Sequence, residues 1–478
     1  MQGHGILLAN MSSVPDPNAG SSVSLVRQLG VMSAAALVVS NMIGTGIFTT
    51  SGFLAGDLGS PGLVLEIWVL GAIVALAGAF CYSELGVNFP SSGGEYVYLT
   101  RAYGLTWGFM SGWVSFFAGF SAPIAAASLA FTEYLAYFFP TLQQENAPVV
   151  LDTGFLTVHL GPAQLVAASV ITAFTILNCV GLSRSATVQN VLTATKLAVV
   201  LVFIVFGLAV GTGDWSHFSQ VTERTSSTSL PSQVAISLFW VYFGYSGWNA
   251  ATYIAEELRQ PHRTLPIALA VGTALVALIY VGLNVVFIYG TDLGSMKGVV
   301  AVGSLAASTL FGPEISGIFS LLMAIAILST VNAMVTIGPR VYYAMARNGA
   351  FFSFAKQVSP RFRTPMAAIV CQGVCSVLMT LTPFPQLVVY IGFSLTFFTV
   401  LAVASLFLFR RQATWQRLPV VSFAWPLIPL VFVLVGVWMI IYGIMLQPAV
   451  SAVAIFTIAA GAAVYHLAVK GRYTLPNA

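Results

Sequence analysis

The chain has 478 residues, of which 58% are hydrophobic and 7% charged, with a mean hydropathy of +0.90 and a formal net charge of +4. Soluble proteins carry about 25% charged residues, so this inventory cannot build a water-facing surface and most of the chain belongs in lipid. The small positive balance does not point to nucleic acid, because in such a chain topology places the charges.

Residues 1–26 are polar and Gly/Ser-rich and lack a basic stretch followed by an apolar one, so they read as a disordered tail and not as a cleavable signal. Stretches of about 20 apolar residues span a bilayer. Twelve are expected, at 31–55, 62–87, 105–139, 161–180, 187–211, 233–256, 265–290, 313–346, 365–382, 386–410, 422–446 and 448–470. A short tail, 471–478, follows. With the amino terminus in the cytoplasm, fifteen of the 18 Lys and Arg residues fall on the inner side. Two, Arg224 and Lys297, fall outside, and Lys196 lies within a span. This asymmetry supports the even span count and predicts both termini inside. Cys81, Cys179, Cys371 and Cys375 all lie in apolar runs and read as packed small residues, with no disulfide framework, metal site or cofactor implied.

Two spans are interrupted by glycine: Met42-Ile43-Gly44-Thr45-Gly46-Ile47-Phe48 in span 1 and Phe243-Gly244-Tyr245-Ser246-Gly247-Trp248-Asn249 in span 6. Breaks five spans apart imply two repeats that enter the membrane from opposite sides, 27–211 and 231–410, with the pair at 422–470 appended. Broken backbone at membrane depth is tolerated where it lines a cavity. Free N–H groups after Gly44 suit a carboxylate, and free carbonyls before it suit an ammonium. The plainer reading of such glycines is close helix packing. Phe243 is placed to act as a lid.

Lys196 lies about 14 Å into span 5 at 1.5 Å per residue. That is deep for snorkelling, so it is expected to face the bundle interior and meet carbonyls or hydroxyls, with Ser329 and Thr330 as candidate partners. Tyr280 and Asn284, one turn apart in span 7, are candidates for hydrogen bonding toward the core. Glu84, near the end of span 2, is expected in an interface salt bridge.

Asn41-Met42-Ile43-Gly44-Thr45-Gly46-Ile47-Phe48, Phe89-Pro90-Ser91-Ser92-Gly93-Gly94-Glu95, the span 6 segment and Gly338-Pro339-Arg340 together resemble the amino acid–polyamine–organocation superfamily. The nearest branch is the bacterial relatives of the L-amino acid transporters. The resemblance implies an all-α integral membrane protein of twelve transmembrane helices. It implies a LeuT-like 5+5 inverted repeat with discontinuous helices 1 and 6, plus two C-terminal helices. It also implies roles by position. N–H groups of Thr45, Gly46 and Ile47 would hold a substrate carboxylate, and carbonyls of Met42, Phe243 and Ser246 its α-ammonium. Ile43, Gly44, Gly244 and Gly247 complete the binding segments, and Phe243 is the gate. Lys196, with Ser329 and Tyr280, would stand where sodium-coupled relatives bind Na⁺. Ser246 departs from the glycine of animal members. Those members carry a linking cysteine between helices 3 and 4; residues 140–160 here contain none, so no disulfide-linked ancillary subunit is expected.

The expectation is therefore sodium-independent exchange of L-amino acids, neutral ones first, at a plasma (inner) membrane, by a protein that is not an enzyme. Proton-coupled symport, a cationic amino acid or polyamine permease, and more distantly a channel or sensor are the alternatives.

Overall fold

The computed structural model describes residues 29–90, 93–152, 157–347, 349 and 351–470. The expected tails at 1–26 and 471–478, and Ser91-Ser92 of the quoted loop, lie outside the described residues.

The first apolar segment forms three helices in series: α1 (Val31–Met42), α2 (Thr45–Thr49) and α3 (Ser51–Leu58). Thr50 keeps helical dihedrals between the last two, so α2 and α3 run on as one rod. Gly59 stops it at φ +66°, where a side chain would clash. The chain returns along α4 (Pro61–Asn88), whose proline sits in the first turn where no N–H is needed. After α5 (Glu95–Tyr103) come α6 (Leu105–Val114), a π-helical stretch at Ser115–Ser121 and α7 (Ala122–Leu135), which together make one 31-residue span. A small antiparallel hairpin, β1 (Val149–Asp152) with β2 (Thr157–Leu160), interrupts the otherwise helical architecture. Then follow α8 (Pro162–Val180), α9 (Leu182–Ala209) and α10 (Leu230–Tyr245).

The second half of the broken sixth segment is a 3₁₀ helix, Ala250–Glu257. It is followed by α11 (Pro261–Gly290), α12 (Leu293–Met296), α13 (Val302–Phe311) and the 35-residue α14 (Pro313–Arg347). The chain ends with α15 (Met366–Met379), α16 (Phe384–Phe409), α17 (Pro419–Ser422), α18 (Leu427–Leu446) and α19 (Pro448–Val464).

Ten helices among the described residues are long and apolar enough to cross a membrane. The expected spans 6 and 9 appear as the shorter α10 and α15, of 16 and 14 residues. The protein is thus a multi-pass helical membrane protein. In the most apolar window of α16, 78% of the residues are buried, against 28% in α9, α18 and α19, so the last two helices flank the bundle and face lipid.

Below, the membrane face on which residue 29 lies is called the N-terminal face. There Leu29 donates to the Glu257 carbonyl (3.0 Å) and accepts from Arg259 N–H (2.8 Å), which ties the entry to α1 to the exit of the 3₁₀ helix. On the same face Glu84 is fully buried in a bidentate ion pair with Arg410 (Oε1–Nε 2.6 Å, Oε2–Nη2 2.5 Å). Trp415 Nε1 and Leu418 N–H fill its remaining acceptor sites, at 2.8 and 2.9 Å. The expected salt bridge of Glu84 is therefore present, and it joins α4 to the end of α16.

Candidate functional site

Both interruptions exist, and they touch. α1 ends at Met42; Ile43 and Gly44 are extended, and α2 starts at Thr45. α10 runs to Tyr245, and the chain turns out of the helix at Ser246 and at Gly247, which has φ +96°. Gly244 is thus still helical, and the second break begins two residues later than the glycine pattern suggests. Gly46 faces Gly244 directly. A β-carbon on Gly46 would press on Gly244 Cα and lie 2.8 Å from its nitrogen. Gly247 abuts Asn41 in the same manner: a β-carbon on it would lie 3.0 Å from the Asn41 carbonyl carbon and oxygen. The two broken segments therefore cross backbone to backbone, a contact that only glycine permits.

A small cavity lies at this crossing. Met42, Gly44, Thr45, Gly46, Phe243 and Ser246 line it. Ile43, Ile47, Gly244 and Gly247 stand behind that lining; the two isoleucines are fully buried. Asn41, Pro123, Thr330 and Met334 complete the wall. Of these only Thr330 was singled out in the sequence, and as a partner for Lys196. Pro123 and Met334 come from α7 and α14, and no local pattern marks them.

The first N–H groups of the α2–α3 rod have no intrahelical acceptor. Beside them the hydroxyls of Thr45 and Thr330 are buried without a hydrogen-bond partner, and so is that of Ser329. Thr330 Oγ1 would lie 3.5 Å from a β-carbon on Gly44, so it stands over the break. Buried hydroxyls without partners are costly, and those of Thr45 and Thr330 line the cavity, where a polar ligand would satisfy them.

The broken end of α1 leaves carbonyls without helical partners, and two buried side chains take them. Lys196 is 2% exposed, and its Nζ donates to the Ser40 carbonyl at 3.0 Å. The expected Lys196–Ser329 contact does not form: the ammonium reaches the helix end of α1, and the Ser329 hydroxyl remains unpartnered. Tyr280 sits with its hydroxyl 2.5 Å from the Met42 carbonyl and 2.8 Å from that of Gly244, so it bridges the two broken segments. Asn284, fully buried, holds the Tyr280 carbonyl (2.8 Å) and accepts from Ser51 Oγ (2.7 Å). Of the three carbonyls expected for an ammonium, Met42 is thus already engaged by Tyr280, and Phe243 by Ser246 N–H (3.3 Å) and Oγ (2.8 Å). The Met42 carbonyl keeps a second lone pair, whereas the two Ser246 donors occupy both of those on Phe243.

On the side away from the N-terminal face an aromatic layer covers the cavity. Phe53 stacks on Trp240 (4.3 Å, 1°), and Phe384 lies against both Phe53 (6.1 Å) and Phe243 (6.3 Å). Toward the N-terminal face, Asn41, Ser246, Thr330 and Met334 keep partial exposure. Farther out, Glu95 accepts from Tyr82 (2.9 Å), Asn249 (2.9 Å) and Tyr253 (3.4 Å), joining α5 to α4 and to the far side of the second break. Burial raises its carboxyl above the usual range, and these three donors work against that rise. In the sequence only one sign marks Glu95, an acid directly after Gly93-Gly94.

The amino acid permease family profile matches residues 29–467. The chain belongs to the amino acid permease family. Similar proteins share 28% of residues with it over most of their length. The mouse (Mus musculus) large neutral amino acids transporter small subunit 2 aligns over 460 residues, 94% of this chain and 82% of that protein. The mouse b(0,+)-type amino acid transporter 1 aligns over 436 residues, 90% and 85%. The mouse Asc-type amino acid transporter 1 aligns over 472 residues, 95% and 83%. In this permease the match takes in both broken segments and the helices that supply Lys196, Tyr280 and Thr330.

Proposed function

We propose that this permease exchanges neutral L-amino acids across the plasma membrane by alternating access, without sodium. One observation carries the reading: two broken helices cross backbone to backbone at a cavity that offers free N–H groups on one side and carbonyls on the other. An amino acid presents a carboxylate and an ammonium a few ångströms apart, so its two ends match the two ends of the break. Thr45, Gly46 and Ile47 would hold the carboxylate; the second lone pair of Met42 and the Ser246 carbonyl would hold the ammonium, and the Phe243 carbonyl would join them once Ser246 Oγ turns away from it. The cavity lining carries no carboxylate, which favours neutral over cationic side chains. Lys196 supplies a fixed positive charge at the broken end of α1, and a fixed cation there leaves no role for Na⁺. The names of the relatives, a large neutral amino acids transporter among them, support the substrate class.

The rest of the reading follows the charge pattern and the cysteines. Twelve spans, both termini cytoplasmic and the repeats 27–211 and 231–410 place the aromatic layer on the outer side, so that this conformation is closed outward. The related small subunit 2 implies by its name a larger partner. Here residues 140–160 hold no cysteine, and we propose that the chain functions without a disulfide-linked subunit.

The test is counterflow in proteoliposomes: labelled alanine, serine and leucine in sodium-free buffer, with vesicles empty or preloaded with unlabelled amino acid. Uptake confined to preloaded vesicles is expected. Uptake into empty vesicles driven by an inward proton gradient would replace exchange by symport, and uptake of arginine or putrescine alone would replace the substrate class.

A further inference from the structure

The substrate reading leaves one carboxylate unused. Asp57 lies beyond the first candidate span, Val31–Thr49, near the end of α3 and away from the N-terminal face. It is partly buried against α10, where Ser237 Oγ donates to its Oδ2 at 3.0 Å. The side chains of Gln233 and Trp240 are further donors to it. Gln233 accepts from Thr228 Oγ1 through Oε1 (2.7 Å), which leaves its amide N–H groups for the carboxylate. Trp240 is the same ring that stacks on Phe53 in the covering layer. Asp57 therefore holds together the two half-helices that must part if this face is to open, and it orients the central ring of the lid.

The charges around it are few. Arg224 acts on Asp57 electrostatically; its Nη2 donates to the Thr228 carbonyl (2.6 Å), and its Nη1 is buried without a partner. The loop that carries Arg224 also clamps α3, through Thr222 N–H to Gly59 O (2.8 Å) and Thr225 N–H to Gly56 O (2.9 Å). Lys297, after α12, lies beside Gly56. Asp292 caps α12 through Ser295 and feels His217. Glu223 precedes Arg224, and Glu66 on α4 is exposed. α10 contributes no charged group to this cluster.

We infer that Asp57 is a proton-binding site of this seal, one that fills in acid while α3 and α10 are closed on each other and empties when they part. The ligand is a proton from the solution on that side, and no other reactant is needed. The inference rests on the alternating-access reading above. In the closed arrangement burial pushes the carboxyl up to about 6, against the opposing pull of Ser237, Gln233, Trp240 and Arg224. Once α3 and α10 separate, the group meets water and returns toward its ordinary value of 3.8. A group held higher in the closed state binds protons more tightly there, so acid favours closure. Between pH 7 and pH 5 the closed state gains about tenfold over the open one, from values of 3.8 and about 6.

Two readouts test this. In proteoliposomes with a buffered lumen, wild-type counterflow is expected to fall about tenfold as external pH drops from 7 to 5. Asp57→Asn, which mimics the protonated form, should be slow and flat across that range. Arg224→Gln removes the charge that lowers the group, so its midpoint should move to higher pH. Independently, purified protein should show a tryptophan fluorescence transition near pH 6 that is absent in Asp57→Asn and in Trp240→Phe. Acid inhibition that persists in Asp57→Asn, or a midpoint unmoved in Arg224→Gln, would overturn the proposal, as would a fluorescence titration that is the same in all variants. A protein that shows the fluorescence transition and no counterflow at any pH would keep the proton site and refute the exchanger.

Discussion

Gly46→Ala gives the sharpest test of the crossing. The new β-carbon would lie against Gly244 Cα, 2.8 Å from its nitrogen and 3.2 Å from the Phe243 carbonyl carbon. All three neighbours are backbone, so no side chain can rotate away and the two broken segments must move apart. Forced overpacking of this kind costs about 1–3 kcal/mol. Charged against the apposed state alone, that is roughly 5- to 150-fold in its population. Two other glycines calibrate the effect. A β-carbon on Gly244 would meet the Trp68 ring at 2.8 Å, a side chain and not backbone, and one on Gly30 would meet nothing within 4 Å. Initial counterflow rates should therefore rank Gly46→Ala lowest, Gly244→Ala between, and Gly30→Ala at wild type. Gel filtration in detergent confirms that each variant is folded. A monodisperse Gly46→Ala protein that keeps half the wild-type rate would refute the reasoning.

Three further substitutions probe separate parts of the machine. Lys196→Met keeps the stem and removes the ammonium from the Ser40 carbonyl; a hydrogen bond from a charged group contributes about 1.5–3 kcal/mol, so counterflow should drop tenfold or more in a folded protein, and unaltered kinetics would dismiss the cation-strut role. Phe243→Ala removes the ring that faces both the cavity and Phe384. It should cut the counterflow rate severalfold and raise KM, and a rate and KM equal to wild type would count against a gate. Glu84→Gln leaves the Arg410 guanidinium buried opposite an amide N–H, and breaking a buried pair costs about 3–5 kcal/mol. The melting temperature should fall by several degrees while KM in the surviving protein stays within about twofold, since the pair lies away from the cavity; an unchanged melting curve would show that the pair is dispensable.

Hydropathy alone locates the long helices because lipid demands unbroken apolar runs, and α4, α11, α14 and α16 fall where the runs do. The breaks were legible for the same reason, since glycine and a polar side chain in mid-membrane need a local explanation. What sequence could not resolve depends on contacts between distant segments. Ser246 rather than Gly244 begins the second break, because Gly244 is held in the helix by its packing on Gly46 and Trp68. Lys196 meets Ser40 and not Ser329, because the unwinding of α1 presents a bare carbonyl that its own helix would otherwise have used. The π-helical stretch at Ser115–Ser121 and the β1–β2 hairpin lack a periodicity strong enough to stand out from the surrounding apolar and loop sequence. Pro123 and Met334 enter the cavity wall only through the packing of α7 and α14 around α2.

The paired backbone bonds between Leu29 and residues 257 and 259 have a mechanical consequence. They rivet the start of α1 to the end of the 3₁₀ helix at the membrane surface, while Gly46 and Gly244 meet at its depth. Two fastenings at different depths remove the freedom of either broken helix to hinge by itself. The arms of both toward the N-terminal face must then swing as a single lever about the glycine crossing, and a ligand that tugs on one arm pulls the other with it.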